Sequence, residues 1–283
     1  MIPVAFEYEV AESVDHAIDL LRQNGEDAKL LAGGHSLIPI MKLRLAAPSM
    51  LIDLGRVDEL RYVRDEGDHI AIGAMTRHCE VESDPTIREH CGLLSYTASL
   101  VGDPQVRHRG TIGGSISHGD AASDLPSALL ALDGELKIKG PNGERTVKAQ
   151  DFFKDYLQTD LAPDEVLTEI RVPKLGSGTG WDYQKFNRRA QDWAVVGSCV
   201  VVERSNGSIG SARVALTNMG ATPLRARAVE EALAGADTRS LEEACRVADE
   251  GTTPSSDLAA SAEFRRHLAR VLTRRAVEQA LQR

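Results

Sequence analysis

Two short stretches hold residues whose types and spacing suit ligand chemistry. Ala32-Gly33-Gly34-His35-Ser36 and Thr111-Ile112-Gly113-Gly114-Ser115 each set two adjacent glycines closely before a serine. Adjacent glycines let the backbone take positive φ and let another body approach the main chain. A turn of that kind gathers successive N–H groups into a concavity that suits an anion such as phosphate. The serine hydroxyl adds a side-chain donor. A lone Gly-Gly is most often only a tight turn. Two of them, neither followed by the Lys-Ser/Thr of a P-loop, ask for an extended diphosphate that both grip. The residues therefore read as a clamp for a dinucleotide.

Other groups near these stretches are weaker candidates. Asp120 and Asp124 follow the second pair. An acid beside a nucleotide accepts from a ribose or ribityl hydroxyl, because its charge repels phosphate. Helix capping is the plainer role, and for Asp120 it is the preferred one. His35, His108 and His118 have the chemistry of acids or bases, but no Ser-His-Asp or Cys-His spacing accompanies them. No proton-transfer role is assigned to them. Lys185 and Trp193 lie in Tyr183-Gln184-Lys185-Phe186-Asn187-Arg188-Arg189-Ala190-Gln191-Asp192-Trp193. A lysine at a flavin ring edge stabilises negative charge on the reduced ring, and an aromatic side chain covers a ring face. Taken alone, this segment reads as a surface Lys and a core Trp.

Composition narrows the classes. The chain has 283 residues, a formal net charge of -9 and 27% charged residues. That balance argues against a nucleic-acid-binding surface. No apolar run reaches the length of a membrane span, and the first residues lack the pattern of a signal peptide. Cys79, Cys91, Cys199 and Cys245 form no Cys-x-x-Cys pair. They read as free thiols in a reducing cytoplasm, and no metal or iron–sulfur site is expected from this chain alone.

The positioning elements follow from periodicity and turn signals. Strands are expected at 6–10, 29–32 and 50–54, with a helix capped by Ser13 and stopped by Gly25. Segment 60–63 pairs with 69–73 as a hairpin across Asp65-Glu66-Gly67-Asp68. Helices follow over 77–83 and 87–102, and over 127–132 with Ser123 or Asp124 as cap. Segments 135–139 and 145–148 pair across an Asn-Gly turn, and 165–172 closes the region. Lys174 to Gly180 reads as a linker. Beyond it come strands at 181–186, 194–203 and 209–216, the last two joined by Ser205-Asn206-Gly207-Ser208. Helices at 226–233, 240–249 and 261–281 finish the chain. The layout is α+β, with strands grouped and helices trailing.

With these residues assembled, the chain resembles the FAD-binding medium subunit of the molybdenum hydroxylases, and within them that of aerobic carbon monoxide dehydrogenase. The matching residues are Lys29-Leu30-Leu31-Ala32-Gly33-Gly34-His35-Ser36-Leu37-Ile38-Pro39 with Lys42-Leu43-Arg44, and Arg109-Gly110-Thr111-Ile112-Gly113-Gly114-Ser115 with Ser123-Asp124-Leu125-Pro126. Leu161 before Pro163, Glu165, Ile170 to Pro173, Lys185, Arg188-Arg189 and Asp192 extend the match. The resemblance implies a vanillyl-alcohol-oxidase-type (PCMH-type) FAD-binding domain over 1–175, in two subdomains dividing near 56. A small C-terminal domain of three antiparallel strands and three helices would follow over 178–283. It implies non-covalent FAD held by residues 29–36 and 111–115, with Val101, Asp124, Leu161 and Lys185 touching the nucleotide and Trp193 at the flavin. Trp193 is a departure, since many relatives have Tyr there. The implied partners are a large molybdopterin subunit and a small subunit with two [2Fe–2S] clusters, as a dimer of heterotrimers. Quinone or another acceptor would take the electrons. The location would be cytoplasmic, at the inner face of the membrane through the complex. The readings to separate are this electron-transfer subunit, for carbon monoxide or for an aldehyde, purine or aromatic substrate; a self-sufficient flavin oxidase; and a scaffold that has lost its cofactor.

Overall fold

The computed structural model describes residues 2–205 and 207–283. Three sheets, each with its own apolar packing, follow one another along the chain. The first unit holds β1 (Glu7–Val10), α1 (Val14–Asn24), β2 (Ala28–Leu31), α2 (Leu37–Lys42) and β3 (Met50–Asp53). Its strands are parallel in the order β1-β3-β2. The Ser13 hydroxyl caps α1 by accepting from the His16 N–H at 3.1 Å. Val14, Ala17, Ile18 and Leu21 turn to one side and pack on Ile52 and Leu54. Gly25 stops the helix at φ 65°, a conformation that costs glycine nothing. A strand–helix–strand crossover leaves the carboxyl end of β2 open to a ligand, and Gly33-Gly34 stand there.

The second unit contains β4 (Val63–Asp65), β5 (His69–Gly73), α3 (His78–Ser83), α4 (Pro85–His90), α5 (Gly92–Ser99), α6 (Pro104–Arg107), α7 (Ile112–His118) and α8 (Asp124–Ala131). Then come β6 (Glu135–Gly140), β7 (Gly143–Lys148), α9 (Ala149–Phe152), the small pair β8 (Phe153–Asp155) and β9 (Gln158–Thr159), and β10 (Val166–Pro173). The antiparallel order is β4-β5-β10-β6-β7, so the last strand fills the centre. The Asn-Gly turn between β6 and β7 is as expected, with Gly143 at φ 107°.

Three expectations need correction here. Residues 58–60 form a single 3-10 turn, and the hairpin strand begins only at Val63. The helix expected over 87–102 breaks at Cys91-Gly92, because Trp181 packs there; a Cβ on Gly92 would lie 2.5 Å from its ring. The second glycine pair is not a loop. Thr111 is the N-cap of α7, and Gly113 and Gly114 form its first turn. Of the two cap candidates for α8, Ser123 takes the position and Asp124 is the first helical residue.

The third unit is β11 (Thr179–Phe186), β12 (Val196–Ser205), β13 (Ser208–Thr217), β14 (Leu224–Arg225), α10 (Arg227–Leu233), α11 (Leu241–Ala244) and α12 (Ala262–Ala280). Three long antiparallel strands and three helices appear as expected, with a two-residue fourth strand added at the edge. The joint between β12 and β13 includes Asn206, which lies outside the described residues. This sheet is buried on both faces. Cys199, Val201 and Ala215 join the apolar cluster of the second unit, while Val200, Val202 and Val214 pack under the C-terminal helices. The expected linker ends early, since Gly180 is already in β11. A Cβ there would lie 1.8 Å from the Ala280 carbonyl oxygen, so glycine is what lets α12 seat on the strand. No helix among the described residues is long and apolar enough to cross a membrane.

Candidate dinucleotide-binding site

The two glycine motifs meet. A Cβ on Gly33 would lie 2.3 Å from the Arg109 carbonyl oxygen and 2.7 Å from the Gly110 Cα. A Cβ on Gly114 would face Ala32 at 3.7 Å. Gly113 presses on Ala74, with 2.5 Å from its would-be Cβ to the alanine methyl. Glycine at these positions brings the end of β2 against the segment that enters α7. Gly34 takes φ 72°, which reverses the chain after β2.

The two motifs differ in what they offer. The N–H groups of Gly33, Gly34, His35 and Ser36 have no hydrogen-bond acceptor among the described residues. Four consecutive free donors form the anion-binding concavity expected of the first motif. In the second motif, Gly113 donates to the Ala74 carbonyl at 2.9 Å and Gly114 to the Thr111 hydroxyl at 3.1 Å. Its glycines therefore serve close approach rather than anion binding, and Ser115 supplies a hydroxyl at the wall.

Both motifs line one cleft of about 840 Å³, a size that suits a large organic ligand. Lys29, Leu30, Ala32, Gly33, Gly34, His35 and Ser36 line it from the first unit. Val101, Thr111, Gly113, Gly114, Ser115, Asp124 and Leu161 line it from the second, and Lys185 and Trp193 from the third. Leu31 and Ile112 are not in the wall. Leu31 ends the strand, and Ile112 is buried in the apolar cluster because α7 turns its side chain inward. His35 and His118 line the cleft; His108 does not, and its Nδ1 lies 2.6 Å from the Pro104 carbonyl. Asp120 accepts from the Ala122 N–H at 2.9 Å and so shapes a turn rather than capping a helix as preferred, since Ser123 stands at the N-cap of α8. Trp193 is 67% exposed at the mouth, so it is no core tryptophan.

At the far end of the wall sits a buried ion pair. Lys185 Nζ donates to Asp124 Oδ2 at 2.8 Å and to the Leu100 carbonyl at 3.0 Å. Both side chains are nearly inaccessible, at 5% and 6%. Burial pushes the Asp124 carboxyl up, against the Lys185 ammonium and the Tyr183 hydroxyl. The cleft also includes residues that no sequence signal marked: Ala74, Met75, His78, Gln158 and Thr159. His78 is the most constrained. Burial lowers its imidazole to about 4, its Nδ1 has no hydrogen-bond partner, and the place of Gly110 against its ring leaves no room for a Cβ. The glycine before Thr111 was the one available hint of that packing.

A family model described as the FAD binding domain in molybdopterin dehydrogenase matches residues 4–175, and one described as the CO dehydrogenase flavoprotein C-terminal domain matches 181–280. The chain belongs to the molybdopterin dehydrogenase flavoprotein family. Among its relatives, the carbon monoxide dehydrogenase medium chain of Hydrogenophaga pseudoflava is 44% identical over 99% of this chain and 98% of its own. The 6-hydroxypseudooxynicotine dehydrogenase complex subunit alpha of Paenarthrobacter nicotinovorans is 36% identical, covering 100% and 97%. A solved structure of carbon monoxide dehydrogenase from Hydrogenophaga pseudoflava, which lacks the Mo-pyranopterin moiety of the molybdenum cofactor, superposes with a TM-score of 0.97 at 45% identity, over 100% of this chain and 99% of that one. Membership in this flavoprotein family makes FAD the dinucleotide of the domain.

Proposed function

We propose that the chain is the electron-transferring FAD subunit of an aerobic, molybdenum-containing carbon monoxide dehydrogenase. The observation behind this reading is the convergence of both glycine motifs on one cleft that also holds Lys185 and Trp193. The residues present suit FAD. The free N–H groups of Gly33 to Ser36 receive the diphosphate, and Ser36 and Ser115 add hydroxyls. The close approach of Gly33 to Arg109 and Gly110, which a side chain at 33 would not permit, holds the two motifs together at the cleft. Lys185, on the cleft wall, would favour added negative charge on a flavin ring bound beside it. Val101 and Leu161 provide apolar contact, and Trp193 covers the mouth and limits water. Attachment is non-covalent. Bound FAD supplies the ability to accept and release electrons one or two at a time. The polypeptide's own part is to bind, orient and tune it.

Full-length likeness to medium chains of carbon monoxide dehydrogenase supports a complex with a large molybdopterin subunit and a small [2Fe–2S] subunit, which we read as a dimer of heterotrimers. Electrons enter from the small subunit and leave to quinone or another acceptor, in the cytoplasm at the inner membrane face. The similarity to a 6-hydroxypseudooxynicotine dehydrogenase subunit supports a second substrate reading, a related hydroxylase acting on an aldehyde, purine or aromatic compound. Co-expression of the three subunits decides between them. The expected complex is yellow-brown with one FAD per chain and reduces a dye with carbon monoxide. A complex that reduces the dye only with an organic substrate overturns the carbon monoxide reading, and failure to take up FAD overturns the flavoprotein reading.

A further inference from the structure

Behind the Asp124–Lys185 pair lies a set of hydroxyls that no ligand reaches. Tyr183 on β11 is 1% exposed and stands outside the cleft wall. Its hydroxyl donates to Asp124 Oδ1 at 2.7 Å and lies 3.2 Å from the Thr217 hydroxyl on β13. Thr217 in turn donates to Ser127 on α8 at 2.8 Å. The chain of contacts therefore begins and ends on α8 and passes through two strands of the third unit.

Space for this arrangement comes from one position. Gly197 on β12 pairs with Lys185 on one side and Thr217 on the other. A Cβ there would lie 2.5 Å from the Tyr183 oxygen and 2.8 Å from the Thr217 oxygen. Any side chain at 197 would drive the phenol away from Asp124. With both Asp124 oxygens occupied, by Tyr183 and by Lys185, the carboxylate is fixed on both sides. Lys185 spends two N–H bonds, on Asp124 and Leu100, and its third has no acceptor among the described residues.

We propose that Tyr183 is a positioning residue: wedged against Gly197, its hydroxyl holds Asp124 as a carboxylate that compensates the Lys185 ammonium and keeps it turned to the cleft. The inference rests on the reading of that cleft as the FAD site. The phenol touches neither cofactor nor partner; it acts through Asp124. Other titratable groups around Asp124 are Cys199 on β12, Asp120 in the preceding turn and His118 at the end of α7. Tyr96 on α5 is turned toward Trp181, and Asp151 on α9 is exposed. Arg213 and Arg225 hold the other end of α8 at the carbonyls of Ala131 and Leu130.

The test compares wild type with Tyr183→Phe, full chain throughout. Removing a donor from a carboxylate favours its protonated form. Carbon-13 NMR of the labelled Asp124 carboxyl in the unloaded chain is expected to show about a tenfold rise in proton affinity in the variant. In the FAD-loaded complex, a protonated Asp124 leaves Lys185 uncompensated. The flavin potential of the variant is then expected above that of wild type at the acid end of the range, with the gap closing as pH rises. Gly197→Ala, which keeps the hydroxyl but displaces it, is expected to move both readouts the same way. An unchanged Asp124 titration, or potentials that run parallel at every pH while only the melting temperature falls, overturns the proposal. A wild-type chain that takes no FAD counts against the FAD reading instead, and the carboxyl titration then still decides the role of Tyr183.

Discussion

At the scale of single residues, Gly33 is the most sensitive position in the cradle. Its would-be Cβ overlaps the backbone of Arg109, which has no freedom to swing away as a side chain would. Gly33→Val is expected to reduce FAD retention by more than tenfold, measured by flavin absorbance per chain after gel filtration. A variant that keeps full flavin would refute the cradle. His78 gives a pH signature. Its folded pKa is lowered to about 4 by burial, below the 6.5 of a free imidazole. Between those values the unfolded chain binds the proton and the folded one does not, so stability is full above about pH 6.5 and falls as pH drops toward about 4. At about 1.4 kcal/mol per unit, the loss amounts to about 3 kcal/mol. His78→Gln is expected to flatten the acid limb of urea-unfolding stability against pH, and an unaltered limb would show that other groups set it.

At the scale of elements, the segment that carries Trp193 is tied down from behind. Arg265 on α12 is 1% exposed; it donates to the Val195 carbonyl and, at 2.7 Å, to Asp257. Asn218 donates to the Ala194 carbonyl at 2.8 Å, and Val195 donates to the Phe186 carbonyl at 2.8 Å. The two ends of the 187–194 segment are thus fixed while Trp193 stands in solvent. Arg265→Met would remove the charged donor to the Val195 carbonyl and leave it only the Asn218 amide at 3.3 Å, a cost of about 1.5–3 kcal/mol. Faster hydrogen exchange at 187–196 should accompany the lost stability. Exchange that is unchanged there would mean that Asn218 alone anchors the segment. The sequence showed α12 by its helical spacing, but nothing in it distinguished Arg265 from the surface arginines of the same helix. A buried arginine is visible only once the strand that it serves is in place.

At the scale of the whole molecule, the cleft draws its walls from all three units, so cofactor binding should stabilise the chain as one body. A ligand that binds only the folded state at about 100 times its Kd adds about 2.7 kcal/mol. For a chain of this size, a rise in melting temperature of several degrees with FAD is expected by calorimetry, with one merged transition. Two separate transitions, only one of them moved by FAD, would show that the C-terminal sheet takes no part. The shared burial of Tyr183, Cys199, Val201 and Ala215 with the second unit argues for the merged outcome.

Much of this was legible in local sequence because it depends on local physics. Ser13 and Gly25 delimit α1 by capping, Asn142-Gly143 sets the β6–β7 turn, and Gly33-Gly34 requires only a backbone free to take positive φ. The second glycine pair misled as a loop, because packing of Gly113 on Ala74, distant in sequence, is what lets a helix begin there. The same holds for the linker that proved to be strand at Gly180 and for the helix that Trp181 interrupts near Gly92. Sequence alone determined the residue types able to grip a dinucleotide and the family to which their spacing points. Tertiary structure alone decided that Gly33 meets Arg109, that Asp124 pairs with Lys185, that His78 lines the cleft and that Tyr183 stands behind it. Those facts are contacts between residues far apart in the chain, and close packing rather than local preference selects them.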